Sequence, residues 1–277
     1  MRFTMINIVN LSINYKDSLA LDNICAEIKQ GELVAIVGAN GAGKSTFLKA
    51  IMGQLKPSAG SIKLGLLTPK NIAYLPQSHK IDRQFPITVK DFISAGSWKR
   101  IGFWQRFSLI ENELLKQVLN KVNLQGFEDR QINALSGGQF QRMLFARMLM
   151  QDADVLLLDE PFAAIDTQTT MDLMQVINDC QQQGKTIITV IHDLSLVSQF
   201  FPTVMLLANK LIAYGNVNDV MTGDNLSNAG YQHLAYIKHN FNPMTTKKLS
   251  ETTKSTAKEN PSHILCANPA HYEEISS

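Results

Sequence analysis

The sequence predicts an α/β fold with a parallel sheet at its centre, and three observations carry that expectation. Leu33-Val34-Ala35-Ile36-Val37, Val155-Leu156-Leu157-Leu158 and Thr186-Ile187-Ile188-Thr189-Val190-Ile191 are nearly continuous apolar runs, the pattern of strands covered on both faces. Helical spacing follows the first run at Phe47, Leu48, Ile51, Met52 and Leu55, and a helix is expected over 167–183, between the second and third. Between the first run and its helix stands Gly38-Ala39-Asn40-Gly41-Ala42-Gly43-Lys44-Ser45-Thr46. Its glycines let successive backbone N–H groups turn inward on one anion, and the following helix adds its positive end. In a loop of this pattern the lysine, Lys44, reaches the β- and γ-phosphates of a nucleotide and the Ser45 hydroxyl ligates Mg²⁺. Such a string occurs by chance in glycine-containing chains, so the strand before it and the helix after it are what make it a phosphate site.

Composition narrows the function. The chain has 277 residues, enough for one large domain or two small ones with a packed core. A net charge of +2, with no long Lys/Arg stripe on any expected helix, gives no reason to expect nucleic acid as a partner. Cys25, Cys180 and Cys266 are too few and too widely spaced for a disulfide framework, which fits a reducing compartment and makes the cytoplasm the default. The N-terminus, Met1 to Asn7, lacks the apolar core of a secretory signal, and no stretch approaches the roughly 18 apolar residues that span a bilayer. A role in a membrane process would therefore need another chain to do the crossing.

Taken in order, residues from Ile6 to Ile28 roughly alternate apolar and polar, which predicts antiparallel strands over one face of the core, with Tyr15 in the turn between them. An exposed tyrosine there is ordinarily surface; ahead of a nucleotide loop it can stack on adenine. Lys56-Pro57-Ser58-Ala59-Gly60-Ser61 reads as a turn-rich break. A short strand ending at Ile72-Ala73-Tyr74-Leu75 is stopped by Pro76, leaving Gln77 at a strand terminus, the edge of an α/β sheet where ligands bind. Residues 78 to 134 mix helical patterns (Leu114, Leu115, Val118, Leu119, Val122) with Phe85, Phe92, Trp98, Phe103, Trp104 and Phe107. They read as a largely helical insert whose aromatic, Lys99-, Arg100- and Arg106-flanked part is either packing or a docking surface.

Leu135-Ser136-Gly137-Gly138-Gln139 then runs into a helix expected from Met143 to Met150. Ser136 can serve as N-cap, and the glycines leave N–H groups open at a second possible anion site. The strand ending at Leu158 delivers two adjacent acids, Asp159 and Glu160, and Pro161 blocks continuation. Asp159 can hold Mg²⁺ and Glu160 can orient and deprotonate water. Asp166 suits a helix N-cap, and His192-Asp193 follows a strand parallel to the acidic one, so both ends open on one crevice. Residues 203–215 read as a final hairpin, followed by a polar helix near 217–222. Beyond about residue 241 the composition turns to Thr, Ser, Lys, Glu, Asn and Pro, the signature of a disordered tail. Its His263, Cys266 and His271 offer a weak zinc site; chance accumulation in a polar tail explains them as well, since a structural site wants four ligands.

In this order, Tyr15, the phosphate loop, Gln77, Leu135 to Gln139, Asp159-Glu160, Asp166 and His192 form a set that resembles the ABC-type ATPases over about residues 5 to 240. The resemblance implies a P-loop NTPase with a RecA-like mixed sheet core, an N-terminal antiparallel β subdomain and a helical subdomain at about 78–150, all within an ABC ATPase domain over 1–240. It implies ATP and Mg²⁺ as cofactors. Gly38, Asn40, Gly41, Gly43, Lys44, Ser45 and Thr46 would bind ATP, Tyr15 would stack on adenine, and Ser45, Gln77 and Asp159 would hold the metal. Glu160 would activate water, with Gln77 and His192 completing the catalytic set and His192 touching the γ-phosphate. Ser136, Gly138, Gln139 and Asp166 would meet the ATP of a second copy, so that two subunits sandwich the nucleotide.

A narrower resemblance lies in Phe85-Pro86-Ile87-Thr88-Val89-Lys90-Asp91 and Pro161-Phe162-Ala163-Ala164-Ile165-Asp166, which look like the ATPase subunits of bacterial zinc/manganese importers. It implies a multispanning permease as partner, an extracytoplasmic metal-binding protein acting through that permease, zinc as the favoured cargo over manganese, and a peripheral location at the cytoplasmic face of the inner (plasma) membrane. Iron-chelate and cobalamin importers have related subunits, and nothing in the ATP site reads the cargo. A non-transport ABC ATPase acting on DNA or ribosomes would carry two motif sets or a long coiled-coil insert, and the sequence has one set and no sustained heptads. A non-hydrolysing switch is disfavoured by the retention of Glu160 and His192.

Overall fold

The computed structural model describes residues 4–15, 18–102 and 108–231, apart from the side chain of Lys99. Phe103, Trp104, Arg106, Phe107 and the tail residues His263, Cys266 and His271 lie outside the described residues.

β1 (Thr4–Tyr15), β2 (Ser18–Lys29) and β4 (Ala59–Lys63) make a three-stranded antiparallel sheet in the order β2-β1-β4. Ile6, Ile8, Leu11 and Ile13 of β1 face Leu21, Ile24, Ala26 and Ile28 of β2 in the core. The three-residue steps from Ile8 to Leu11 and from Leu21 to Ile24 are allowed by register shifts, with Asn10 and Asn23 in left-handed backbone at φ 51° and 47°. Tyr15 is the last residue of β1, paired with Ser18, and not part of the turn the sequence predicted. β4 was also expected to be turn. It is a short edge strand with no buried residue, held by its backbone pairing to β1, so apolar patterning had nothing to signal.

β3 (Leu33–Val37), β5 (Ile72–Leu75), β6 (Val155–Asp159), β7 (Thr186–Val190), β8 (Thr203–Ala208) and β9 (Lys210–Asn216) form the central sheet in the order β5-β6-β7-β3-β8-β9. Only the β8–β9 pair is antiparallel, so the sheet is mixed. Its two faces separate the core. Val34, Ile36, Leu157, Ile188 and Val190 pack with α1 (Lys44–Ile51) and the antiparallel sheet. Ala35, Val37, Leu156, Leu158 and Ile187 face the other way, into a cluster built with the longer helices.

Those helices begin with α2 (Val89–Ser94), α3 (Trp98–Ile101) and α4 (Leu109–Lys121), which with short 3₁₀ turns fill the segment expected to be helical. α5 (Gly137–Leu149) starts six residues earlier than predicted, because Ser136 caps it and Gln139 returns the bond to the Ser136 N–H, so the glycine pair sits in the first turn. First-turn N–H groups lack helical partners anyway, so glycine costs little there. α6 (Thr167–Gln182) and α7 (Leu194–Phe200) follow β6 and β7, and α8 (Val217–Val220) and α9 (Gly223–Asn228) close the described chain. Among the described residues no helix is long and apolar enough to cross a membrane.

Asp166 and Asp193 cap α6 and α7 by accepting backbone N–H bonds from Thr169 and from Ser195 and Leu196. The Thr169 bonds hold the Asp166 carboxyl, and the Ser195 hydroxyl holds the Asp193 carboxyl, below the usual carboxylate range. A depressed folded-state pKa contributes stability that is complete above the unfolded value, about 4, and disappears as pH falls through the folded one. Asp193→Asn keeps a capping acceptor without the charge. Its urea midpoint is expected to fall below the parent's near pH 7, by a gap that narrows as the pH is lowered below the unfolded value; equal midpoints across that range would show that the cap charge adds nothing.

Candidate functional site

The parallel order of β5, β6, β7 and β3 brings four strand ends to one edge, and most of the sequence-predicted residues lie there. The loop from Gly38 to Gly43 leaves the end of β3 and enters α1 with Gly43 at φ 88°. A Cβ at Gly38 would overlap the Leu207 carbonyl oxygen, and one at Gly43 would lie 2.6 Å from the Ala20 oxygen, so space requires both glycines, and at Gly43 the positive φ requires it too. Lys44 is buried and folds back over the loop, donating to Gly38 O at 2.8 Å and Ala39 O at 2.9 Å. Burial lowers its pKa, while the charges of Glu160 and Asp159 oppose that shift.

Asp159 is 0% exposed at the end of β6. Ser45 Oγ donates to one carboxylate oxygen at 2.9 Å, Tyr74 Oη donates to the other at 3.1 Å, and Lys80 Nζ stands 3.8 Å from that second oxygen. Burial, with the neighbouring carboxylate second, pushes the Tyr74 phenol well above its ordinary value, so it remains a donor. Gln77 follows β5 half-buried, opening the 3₁₀ turn that carries Lys80, and its side chain makes no capping bond. Asp159, Ser45 and the Gln77 amide are hard oxygen donors, the class that suits Mg²⁺.

Glu160 is held in left-handed backbone at φ 54°, and its Oε1 lies 2.9 Å from His192 Nε2 beyond the end of β7. A non-glycine residue in that region carries strain of about 1–2 kcal/mol, and here it turns a carboxylate out of the strand towards an imidazole. A carboxylate and an imidazole in contact can take a proton from water and keep the acceptor oriented. They open into a cleft of 450 Å³ also lined by Phe162, Ile165, Val190 and Leu196.

A second cluster forms where α5 and α6 begin together. A Cβ at Gly138 would lie 2.9 Å from Thr169 Oγ1 and 3.4 Å from Asp166 Oδ2. Gln139 and Asp166 are each engaged in their own helix cap. No hydrogen bond or ion pair joins this cluster to the phosphate loop among the described residues. Tyr15 stands 40% exposed at the tip of β1.

Tyr74, Lys80, Arg83 and Asn209 were not singled out from the sequence. Arg83 donates to the Leu135 carbonyl and stacks 4.4 Å from the Phe140 ring centre, tying the segment after Gln77 to the start of α5. Asn209 forms the β8–β9 turn and touches the phosphate loop. A tyrosine inside a strand pattern, a surface-type lysine and arginine, and a turn asparagine carry no motif; only the fold brings them in.

The family model described as ABC transporter matches residues 21–163. The manganese transport system ATP-binding protein MntB of Listeria monocytogenes is 40% identical over 223 residues, covering 79% of this chain and 93% of that protein. A probable metal transport system ATP-binding protein of Chlamydia pneumoniae is 41% identical over 227 residues, covering 80% and 88%. Among solved structures, a putative metal-chelate type ABC transporter in an inward-facing conformation superimposes with a TM-score of 0.74 at 24% identity, covering 83% of this chain and 90% of that one. A dimeric ATP-binding cassette bound to ADP and Pi gives a TM-score of 0.67 at 26% identity, covering 77% and 99%.

Tyr74→Phe removes one donor from a fully buried carboxylate and changes little else. Chemical denaturation is expected to give a stability loss of about 1.5–3 kcal/mol, the range for a hydrogen bond to a charged group; an unchanged midpoint would mean that Ser45 and Lys80 suffice.

Proposed function

Because the chain belongs to the ABC transporter family, we propose that it is the ATP-hydrolysing subunit that powers an importer of a divalent transition metal. The observation that supports the cargo is the 40% identity across most of the chain to a protein named for manganese transport. Zinc and manganese, the pair implied by the resemblance at Phe85–Asp91 and Pro161–Asp166, both stay ahead of an iron chelate or cobalamin, and the name of that relative adds weight to manganese. A non-transport role on DNA or ribosomes has no observation in its favour.

In the proposed mechanism, Gly38, Asn40, Gly41, Gly43, Lys44 and Thr46 hold the phosphates, Tyr15 stacks on the adenine, and Ser45, Gln77 and Asp159 hold Mg²⁺. Bound Mg²⁺ supplies the positive charge that withdraws electron density from the terminal phosphate. Glu160 takes the proton of the attacking water, and His192 keeps that carboxylate oriented beside the γ-phosphate. Ser136, Gly138, Gln139 and Asp166 complete the site of a second copy. Ser136 supports this by standing at the start of α5, where first-turn backbone N–H groups favour an anion.

The subunit is placed at the cytoplasmic face of the membrane, seated on a permease that receives metal from an extracytoplasmic binding protein. Phe85, 60% exposed, and Trp98, 49% exposed, mark the seat on the side of the molecule that the Gln77 segment leads into. Arg100 is committed to Glu111 at 2.8 Å, so its charge serves the helical packing.

Two measurements test this reading. Glu160→Gln retains shape but removes the base, and is expected to bind ATP and form the dimer while hydrolysis drops by about 10² or more; Lys44→Ala is expected to fail at binding. Wild-type hydrolysis by purified Glu160→Gln would overturn the base assignment. For the cargo, cells lacking the subunit and starved of metal are expected to show a manganese or zinc deficit, repaired by the wild-type chain and not by Lys44→Ala. Normal manganese and zinc with lost uptake of an iron chelate or cobalamin would overturn the metal.

A further inference from the structure

Asn209, the single residue between β8 and β9, makes more contacts to the phosphate loop and its surroundings than a turn needs. Its backbone sits at φ 58°, a conformation asparagine tolerates. Its N–H donates to Ala42 O at 3.1 Å, and its own carbonyl accepts from Asp22 N at 2.7 Å. Its side-chain Nδ2 is within reach of three more carbonyls: Ala20 at 3.1 Å, Leu19 at 3.3 Å and Gly41 at 3.4 Å. One residue thus ties the start of β2, the β8–β9 hairpin and the second half of the phosphate loop together. The two loop carbonyls it holds, Gly41 O and Ala42 O, belong to consecutive peptide units.

A trans peptide unit points its carbonyl and its N–H in opposite directions. Drawing Ala42 O towards Asn209 therefore turns the Gly43 N–H to the opposite side of the loop, and drawing Gly41 O the same way fixes the Ala42 N–H, which donates to Ala39 O at 3.1 Å and closes the loop on itself. The N–H groups at the start of α1 are the ones that meet a phosphate in a loop of this kind. Gly41, at φ 83°, has nothing near where a Cβ would stand, so side-chain packing does little to fix the loop at that point.

We propose that Asn209 is a positioning residue for the nucleotide: from outside the loop it presets the orientation of the amides that grip the phosphates of ATP. The inference rests on the reading of residues 38–46 as the phosphate seat. Its chemistry is preorganisation, since a loop already shaped in the free protein loses less freedom when it binds. Asn209 does not touch the reacting atoms, so its removal acts on binding and not on the chemical step.

The test is Asn209→Gly in the full-length chain, which keeps the positive φ and both backbone bonds while deleting the amide. The expected result is a rise of about threefold in the KM for ATP and in the Kd measured by titration with a fluorescent ATP analogue, since the variant loses the amide's hold on Gly41 O while the backbone bond to Ala42 O remains. kcat should stay within about twofold, and the melting temperature of the nucleotide-free protein should fall only modestly, through the lost bonds to Ala20 O and Leu19 O. Asn209→Asp places oxygens against three carbonyls and is expected to bind more weakly still. Wild-type KM and Kd in Asn209→Gly would overturn the proposal. So would a fall in kcat at constant KM, or a lower melting temperature with ATP affinity intact, which would assign the residue to the fold alone. Lys44→Ala separates the premise: if it bound ATP normally, the phosphate-seat reading would be at fault, and not the role of Asn209.

Discussion

A carboxylate with no exposed surface is the constraint the site is built around. Asp159 ends a strand buried on both faces, and an ion taken out of water there costs several kcal/mol unless partners surround it. Three elements supply them: Ser45 from α1, Tyr74 from β5 and Lys80 from the turn beyond it. Each must arrive at the same point, so the end of β5, the end of β6 and the start of α1 are fixed relative to one another. Lys80 is the loosest partner, exposed and at 3.8 Å, and it is also the one on the segment led by Gln77. The charge balance around Asp159 and the placement of that segment are therefore one problem.

The phosphate loop is held in the same manner, from outside. Leu207 O closes on Gly38, Ala20 O and Leu21 close on Gly43, and Asn209 grips Gly41 and Ala42. Of these partners two belong to the antiparallel sheet and two to the β8–β9 hairpin, elements that a reading of the motifs alone treats as covering. Glycine-rich loops bury little apolar surface of their own, so their order has to come from neighbours with side chains and rigid ladders.

Much of this was legible in the sequence, for a physical reason. The runs at Leu33–Val37, Val155–Leu158 and Thr186–Ile191 match β3, β6 and β7 to within one residue, because strands buried on both faces favour nearly continuous apolar and β-branched runs. Motif residues are legible because backbone geometry and chemistry leave few substitutes for glycine, lysine or an acid at those points. β4 was not, since an edge strand with no buried residue leaves no periodic trace, and α5 was placed late, from Met143, although Ser136 was read as its N-cap, because apolar periodicity does not extend into the glycine pair of its first turn. Tyr74, Lys80, Arg83 and Asn209 were illegible for another reason: each is ordinary in its local sequence, and its partner lies across the fold, 85 residues away for Tyr74 and Asp159.

Glu160 pairs with His192 from a left-handed backbone that suits glycine or asparagine better than an acid. The backbone at this position works against glutamate, and the contact with His192 is what the scaffold receives in return. On the proposal that Glu160 is the base, a lineage no longer selected for turnover would let this residue drift to glycine at little cost to the scaffold. Such a descendant would look sound by every measure of folding, expression and assembly. Its silence would be written in one side chain, and a survey of sequences for dead copies should look at residue 160 before looking for damaged cores.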